Sequence, residues 1–372
     1  MFTKQRKLLF VLLAVLLVAV IAACGKKEET SANGEKSAVN ETKVEEKGND
    51  LEAALLKTMD IASYNFSAGL SLDEINIPDS LSGDPAAQAQ AQAIMSMIQN
   101  STLNVTGSYQ ADPMRLEMDV NVEVKGDMSL SLNIPIIMTE DVMWFKIPNT
   151  PFFPVGPYAD KFVEINMKEL AETQGAQMPE LDIDLQRKLG QDMMAIVIKH
   201  FNDKDNFKEI SASETSLPAD LNPEKVVKFS ITNDNLEDTV KTVIENIAPE
   251  VIELMLQNEE YRNTLQLTVQ DLEEAKTELA AFDRAELQSG LDQMKEELTI
   301  NDISLIGAIK DGYLAHQQIK VNADVKSDGE TVKIGFTIWG QYDNINDKVN
   351  FKHEIPTDAV SLEELFGNMQ GM

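Results

Sequence analysis

The chain has 372 residues, 43% of them apolar, which is ample for a sizeable core and excludes disorder throughout. Its formal net charge is −30, and without the first 23 residues, which hold three cations and no acid, it falls to −33. Such a surface repels nucleic acid and anionic headgroups, and no Lys/Arg cluster offsets it, so nucleic-acid partners and polybasic membrane contacts are disfavoured.

The N-terminus opens with a basic segment, "MFTKQRK", followed by the apolar run "LLFVLLAVLLVAVIAA" and then the chain's single cysteine. These are the n-region and h-region of a secretory signal, slightly short for a membrane span. Here the sequence resembles bacterial lipoproteins: Ile21-Ala22-Ala23-Cys24 matches their lipobox, with Ile where Leu is commoner. The resemblance implies that residues 1–23 are a signal peptide. It also implies that Cys24 is diacylated and anchors the mature protein on the extracytoplasmic face of the cell membrane. The alternative is an uncleaved anchor whose cysteine is incidental. With no other cysteine there can be no internal disulfide, so the fold must rest on core packing.

Residues 24–50 read as the lipidated N-terminus and an acidic tether, too poor in large apolar residues to offset chain entropy. As a coil it would reach about 25–30 Å, at ~5–6 Å times the square root of the residue count. A helix over "DLEAALLKTMDIAS" follows, with Leu51, Leu55, Leu56 and Met59 on one face, and then a strand over "YNFSAGLSL". Asp84-Pro85 introduces an Ala/Gln run that reads as a helix or a low-complexity loop.

The clearest signal lies between residues 103 and 147. Leu116, Met118, Val120, Val122 and Val124 alternate with Glu117, Asp119, Asn121 and Glu123. After a tight turn, Met128, Leu130, Leu132 and Ile134 repeat the alternation, which is a β-hairpin with one wet face. Pro135 places an edge or a bulge late in the second strand. A third strand, "DVMWFKI", runs into the loop "PNTPFFPVGPY".

The centre is more helical. A helix is expected over "MPELDIDLQRKLGQDMMAIVIKHF", then strands at "FKEISAS" and "KVVKFSIT". A helical segment covers about 236–298, where Leu236, Val240, Val243, Ile244, Ile247, Val251, Ile252 and Met255 form a broad stripe that Pro249 kinks or restarts. Leu265, Leu272 and Leu279 recur every seven residues, a pattern too short for an intermolecular coiled coil to be preferred over intramolecular packing. Strands return with Ile319, Val321, Ala323 and Val325, then Val332, Ile334, Phe336 and Ile338, with turns at Asp311-Gly312 and Asp328-Gly329. "FKHEIPTDAVSLEELFGNM" reads as a last strand and a short helix.

One α+β domain over 51–366 is expected, with a large curved antiparallel sheet, half-barrel-like, and amphipathic helices packed on its concave face. This order resembles the exported lipoproteins with the LolA/LppX-type fold, on "LEAALLKTMDIASYNFSAGLSL", the meander at 103–147 and "AIKDGYLAHQQIKVNADV". The resemblance implies a lipid or acyl chain held between sheet and helices. The extra helix at 262–298 departs from the family's compact pattern and could fill the cavity.

The search for chemistry is mostly negative. His200, His316 and His353 are far apart with no ligand spacing around them, and no G-x-S-x-G, P-loop or G-x-G-x-x-G occurs. Asp203 and Asp205 lack the glycine and spacing of an EF-hand loop. No catalytic residue, metal or cofactor is expected. Methionines concentrate around the first hairpins, and Met adapts to irregular apolar shapes, though it equally fills cores. The candidate apolar site is Met118, Val120, Val122, Met128, Leu130, Leu132, Met143 and Phe145, capped by Phe152 and Phe153. The expectation is a membrane-anchored carrier of a lipid or other apolar ligand. A non-catalytic interaction or sensor lipoprotein docking a protein partner is the alternative, and an envelope hydrolase the remote one.

Overall fold

The computed structural model describes residues 49–76, 99, 101–125, 129–149, 156–167, 169, 183–201, 206–281, 284–327 and 329–369. The chain is α+β, with a twelve-stranded, mostly antiparallel sheet and accompanying helices, the class expected from the patterning. It divides into two compact units, residues 1–60 with 182–315 and residues 61–181 with 316–372.

The first unit holds helices α1 (Asn49–Met59), α2 (Ile183–Phe201), α3 (Leu236–Thr242), α4 (Ala248–Gln257), α5 (Glu259–Thr264), α6 (Val269–Ala280) and α7 (Arg284–Glu297). Its strands are β7 (Phe207–Ile210), β8 (Lys225–Ile231) and β9 (Leu298–Lys310), paired antiparallel in the order β7-β8-β9. Both faces of β8 are covered, and its four apolar residues, Val226, Val227, Phe229 and Ile231, are all buried. Phe229 and Ile231, opposite Leu305 and Ile303, face Phe201, Val240, Ile244, Ile247 and Leu291. Val226, opposite Ala308, packs with Ile306 and Leu221 on the other side.

Pro249 acts as the sequence suggests. It has no N–H and its ring excludes the carbonyl four residues back, so α3 passes into α4 through a π turn at Val243–Ile247. There the Ala248 N–H donates to the Val243 carbonyl. Tyr261 is fully buried and donates its hydroxyl to Asp192 Oδ2 at 2.6 Å, and burial raises its pKa.

The heptad leucines separate. Leu272 is buried against Leu189, Met255 and Tyr261, and Leu279 packs on the main core, whereas Leu265 is 43% exposed. The repeat is therefore spent inside the unit. On α1, Leu56 is exposed and Ala54 buried, so the packed face is turned from the one that side-chain size suggests. The phase is set by Thr58, whose hydroxyl donates to Ala54 O and accepts the Leu314 N–H, both at 2.7 Å.

The second unit is dominated by its sheet. Its strands are β1 (Ser63–Asn76), β2 (Ser101–Gln110), β3 (Arg115–Val124), β4 (Leu130–Thr139), β5 (Val142–Lys146) and β6 (Phe162–Asn166). To these are added β10 (Tyr313–Ser327, from His316 onward), β11 (Glu330–Asp343) and β12 (Val360–Ser361), followed by helix α8 (Leu362–Met369). Their order is β12-β6-β5-β4-β3-β2-β1-β11-β10, antiparallel except between β12 and β6. The β3–β4 hairpin has the expected register, Val122 opposite Leu132 and Met118 opposite Ile136. No bulge marks Pro135. It sits where β5, paired only with Ile136–Met138, has ended, and β4 tolerates the missing N–H there. The last strand and short helix expected within "FKHEIPTDAVSLEELFGNM" are β12 and α8, and the strand is only two residues long.

Two leucines of the heptad pattern separate seam from surface. Leu272→Ala should destabilise the first unit by about 2–5 kcal/mol, while Leu265→Ser should stay within about 0.5 kcal/mol of wild type in urea titration. Equal costs would show that the seam is misassigned.

Candidate functional site

In the second unit the strand register stacks apolar side chains into rows that cross the sheet on one face. The first row is Tyr64, Tyr109, Leu116, Met138, Met143 and Ile165. The next is Tyr342, Phe66, Gly107, Met118, Ile136, Phe145 and Val163. Beyond it come Gln317, Gly340, Ala68, Val105, Val120 and Ile134, then Ile319, Ile338, Leu70, Leu103, Val122 and Leu132. From Tyr64 to Leu72 the face runs about 27 Å along β1, at ~3.3 Å per residue.

The tyrosine end is closed. Tyr64 lies 5.1 Å from Tyr109 and 5.0 Å from Tyr342, ring centre to ring centre, and Tyr64 and Tyr109 are buried. The β5–β6 edge is closed as well, where Val163 is fully buried against Tyr158, Val360 and Leu365 and Phe145 packs on the same cluster. Between these two ends the face is half-buried, and Ile334 and Ile338 are 38% and 37% exposed. This middle part of the face is the candidate site.

Of the expected site residues, Met118, Val120, Val122, Leu130, Leu132, Met143 and Phe145 share this face and are all half-buried. Met128, Phe152, Phe153 and Cys24 lie outside the described residues. The sequence reading missed the larger part of the surface, on β1, β2, β10 and β11. The signal was present in the alternation of Ile319 with Val321 and of Phe336 with Ile338, which the β10–β11 pairing sets opposite one another. What joins those strands to the first hairpin is the pairing of β1 with β11, residues some 270 positions apart, which alternation alone does not specify.

The opposite face differs from the wet surface that alternation suggests. Glu117 is only 3% exposed. The segment after β11 crosses this face as an irregular strap, and Glu117 accepts the backbone N–H groups of Lys352 and His353 at 2.7 and 3.0 Å. Arg115 donates to the His353 carbonyl and stands 4.1 Å over the Phe351 ring. Lys352 Nζ and His353 Nε2 reach the two oxygens of Asp119 at 3.1 and 3.2 Å. The Lys352 and His353 amides are thus satisfied by a carboxylate instead of a neighbouring ladder. Nearer β6, Trp144 donates to Glu164 at 2.8 Å.

Burial pushes the Asp119 carboxyl up, but the hydrogen bonds and charges of Lys352 and His353 outweigh it and hold it below its ordinary 3.8. His316 is buried and stacked on Trp339, ring centroids 6.2 Å apart, and desolvation lowers its pKa. Among the described residues no group of three or more His, Cys, Asp or Glu could hold a metal ion. No described helix is long and apolar enough to cross a membrane. No protein-family model, curated protein or solved structure matches the chain.

The strap gives two linked expectations. Glu117→Gln leaves one of two backbone donors without a proper acceptor and should cost about 1–3 kcal/mol in urea titration. A carboxylate held below its unfolded value contributes stability that is complete above about pH 4 and is lost as pH falls through the lowered value. Asp119→Asn should therefore flatten the acid limb of the stability profile below pH 4, read from Tm against pH, and leave the neutral limb's slope unchanged.

Proposed function

We propose that this protein is a lipid-anchored extracytoplasmic lipoprotein that binds, and passes on, a lipid or other apolar ligand through the apolar face of its second unit. The observation that carries the reading is that face itself: rows of Met, Val, Leu, Ile and Phe left half-buried across successive strands. A folded chain gains about 0.8 kcal/mol for each methylene it takes out of water. Leaving so much apolar surface uncovered is a cost that a ligand removes.

The N-terminal features support the same reading. The run ending at Ile21-Ala22-Ala23-Cys24 would place two acyl chains on Cys24, and the tether after it would hold an acidic domain off an anionic bilayer. Transfer from bilayer to protein exchanges one apolar environment for another. The net energy is then small, which suits a carrier that must also release. The likeness to LolA/LppX-type lipoproteins belongs to this proposal, as does the absence of catalysis.

Native mass spectrometry of the chain from residue 25, with lipid extraction of the same sample, tests it. A stoichiometric adduct released as an acyl lipid is the expected result. A clean apo mass, unchanged after incubation with membrane lipids, would reject the carrier and turn attention to a protein partner.

A further inference from the structure

The sheet has an open edge inside the second unit. β5 pairs with β4 only at Ile136–Met138, whereas β3 pairs with β4 from Leu130 to Thr139. Among the described residues, Leu130–Ile134 therefore has a neighbouring strand on one side and none on the other. This is an ordinary strand length, and its outward N–H and C=O groups can take another strand.

Natural sheets blunt such edges with charge, proline or extreme shortness. The two ends of this sheet follow that rule. β12 has two residues, and β7 has four, of which Lys208 and Glu209 are charged and exposed. The β4 edge does not. Leu130-Ser131-Leu132-Asn133-Ile134 carries no charge, and Pro135 stands only after it, next to the residues that β5 pairs. In a chain of net charge −30, an edge without acids is a place where two copies can approach without opposing like charges.

We propose that this edge pairs antiparallel with the same edge of a second copy of the chain, about a two-fold axis at Leu132. That axis uses the whole free segment. It sets Leu132 opposite Leu132, Leu130 opposite Ile134 of the second copy, and Ser131 opposite Asn133 of the second copy. Apolar residues then meet apolar ones on one face, and neutral polar residues meet on the other. Within each copy Leu132 stands opposite Val122, and Ser131 opposite Glu123, while Asn133 donates to Asn121 Oδ1 at 2.7 Å. The rows therefore continue across the seam as Val122-Leu132-Leu132-Val122 on the apolar face and Glu123-Ser131-Asn133-Asn121 on the other. No acid faces an acid. A contact of this kind uses the same edge on both sides, so it closes at a dimer. The apolar rows then run on from one copy into the next, and the pairing stands whether or not they take a ligand.

The test expresses the full chain in bacterial membranes as Leu132→Cys and oxidises it with copper phenanthroline. The wild-type chain, whose one cysteine is Cys24, is the control. Directly opposed strand residues have Cβ atoms about 4.5–5.5 Å apart, near disulfide reach. A disulfide-linked dimer well above the wild-type level is expected. Adding Ser131→Lys with Asn133→Lys, both at exposed positions, opposes like charges twice across the seam and should lower the dimer by about tenfold. Adding Ser131→Lys with Asn133→Glu opposes unlike charges instead and should restore it to within about twofold. That rescue separates repulsion at the seam from a misfolded strand. No dimer beyond the wild-type level, or Leu132→Cys linked to a different protein, would overturn the second copy as the occupant. Equal dimer from the two charge designs would overturn the pairing about Leu132.

Discussion

Everything proposed for the second unit depends on strand register. Side chains alternate between the two faces of a strand, so a slip of one residue anywhere from β6 to β10 would carry an apolar set to the other side. As paired, Met118, Ile136 and Phe145 fall in one line, and Glu117, Ile137 and Trp144 fall in the line behind them. The face that could take a ligand and the face that takes the strap are therefore two readings of a single register. Neither can be altered without the other.

The two units solve the problem of apolar burial differently. In the first, helices and loops cover both sides of β8 and β9, and residues such as Ile247, Leu291 and Ala308 are almost fully removed from water. In the second, the most deeply buried residues of β3 to β5 are Glu117, Ile137 and Trp144, on the side away from the apolar rows. Stability there comes from backbone ladders and from a strap held by charge-assisted hydrogen bonds to Glu117 and Asp119. The apolar rows can then stay partly open without loss of the fold. That division suits a surface that must be occupied at one time and vacant at another.

Much of this was legible in the amino-acid sequence, and the omissions have physical causes. Period-two alternation is local, so the β3–β4 hairpin and the strands around Val321 and Phe336 could be read directly, as could the interruption at Pro249. The full extent of the apolar face could not, because β1 meets β11 only through a pairing between distant parts of the chain. The burial of Glu117 was hidden for a related reason: a carboxylate that binds backbone amides leaves no pattern in the residues that supply those amides. On α1 the phase followed the hydroxyl of Thr58 and the small Ala54 in place of the larger Leu56, since close approach to Leu314 rewards small side chains.

The central claim is that the apolar face meets lipid while the core of the first unit does not. Methionine-methyl NMR tests this most directly, because Met118, Met138 and Met143 lie on the face and Met193 and Met255 are buried in the first unit. On titration with phosphatidylglycerol, the account predicts that the three face methyls shift together and saturate while the two core methyls stay in place. Core methyls that move while the face methyls remain fixed, or a spectrum unchanged at lipid excess, would contradict it.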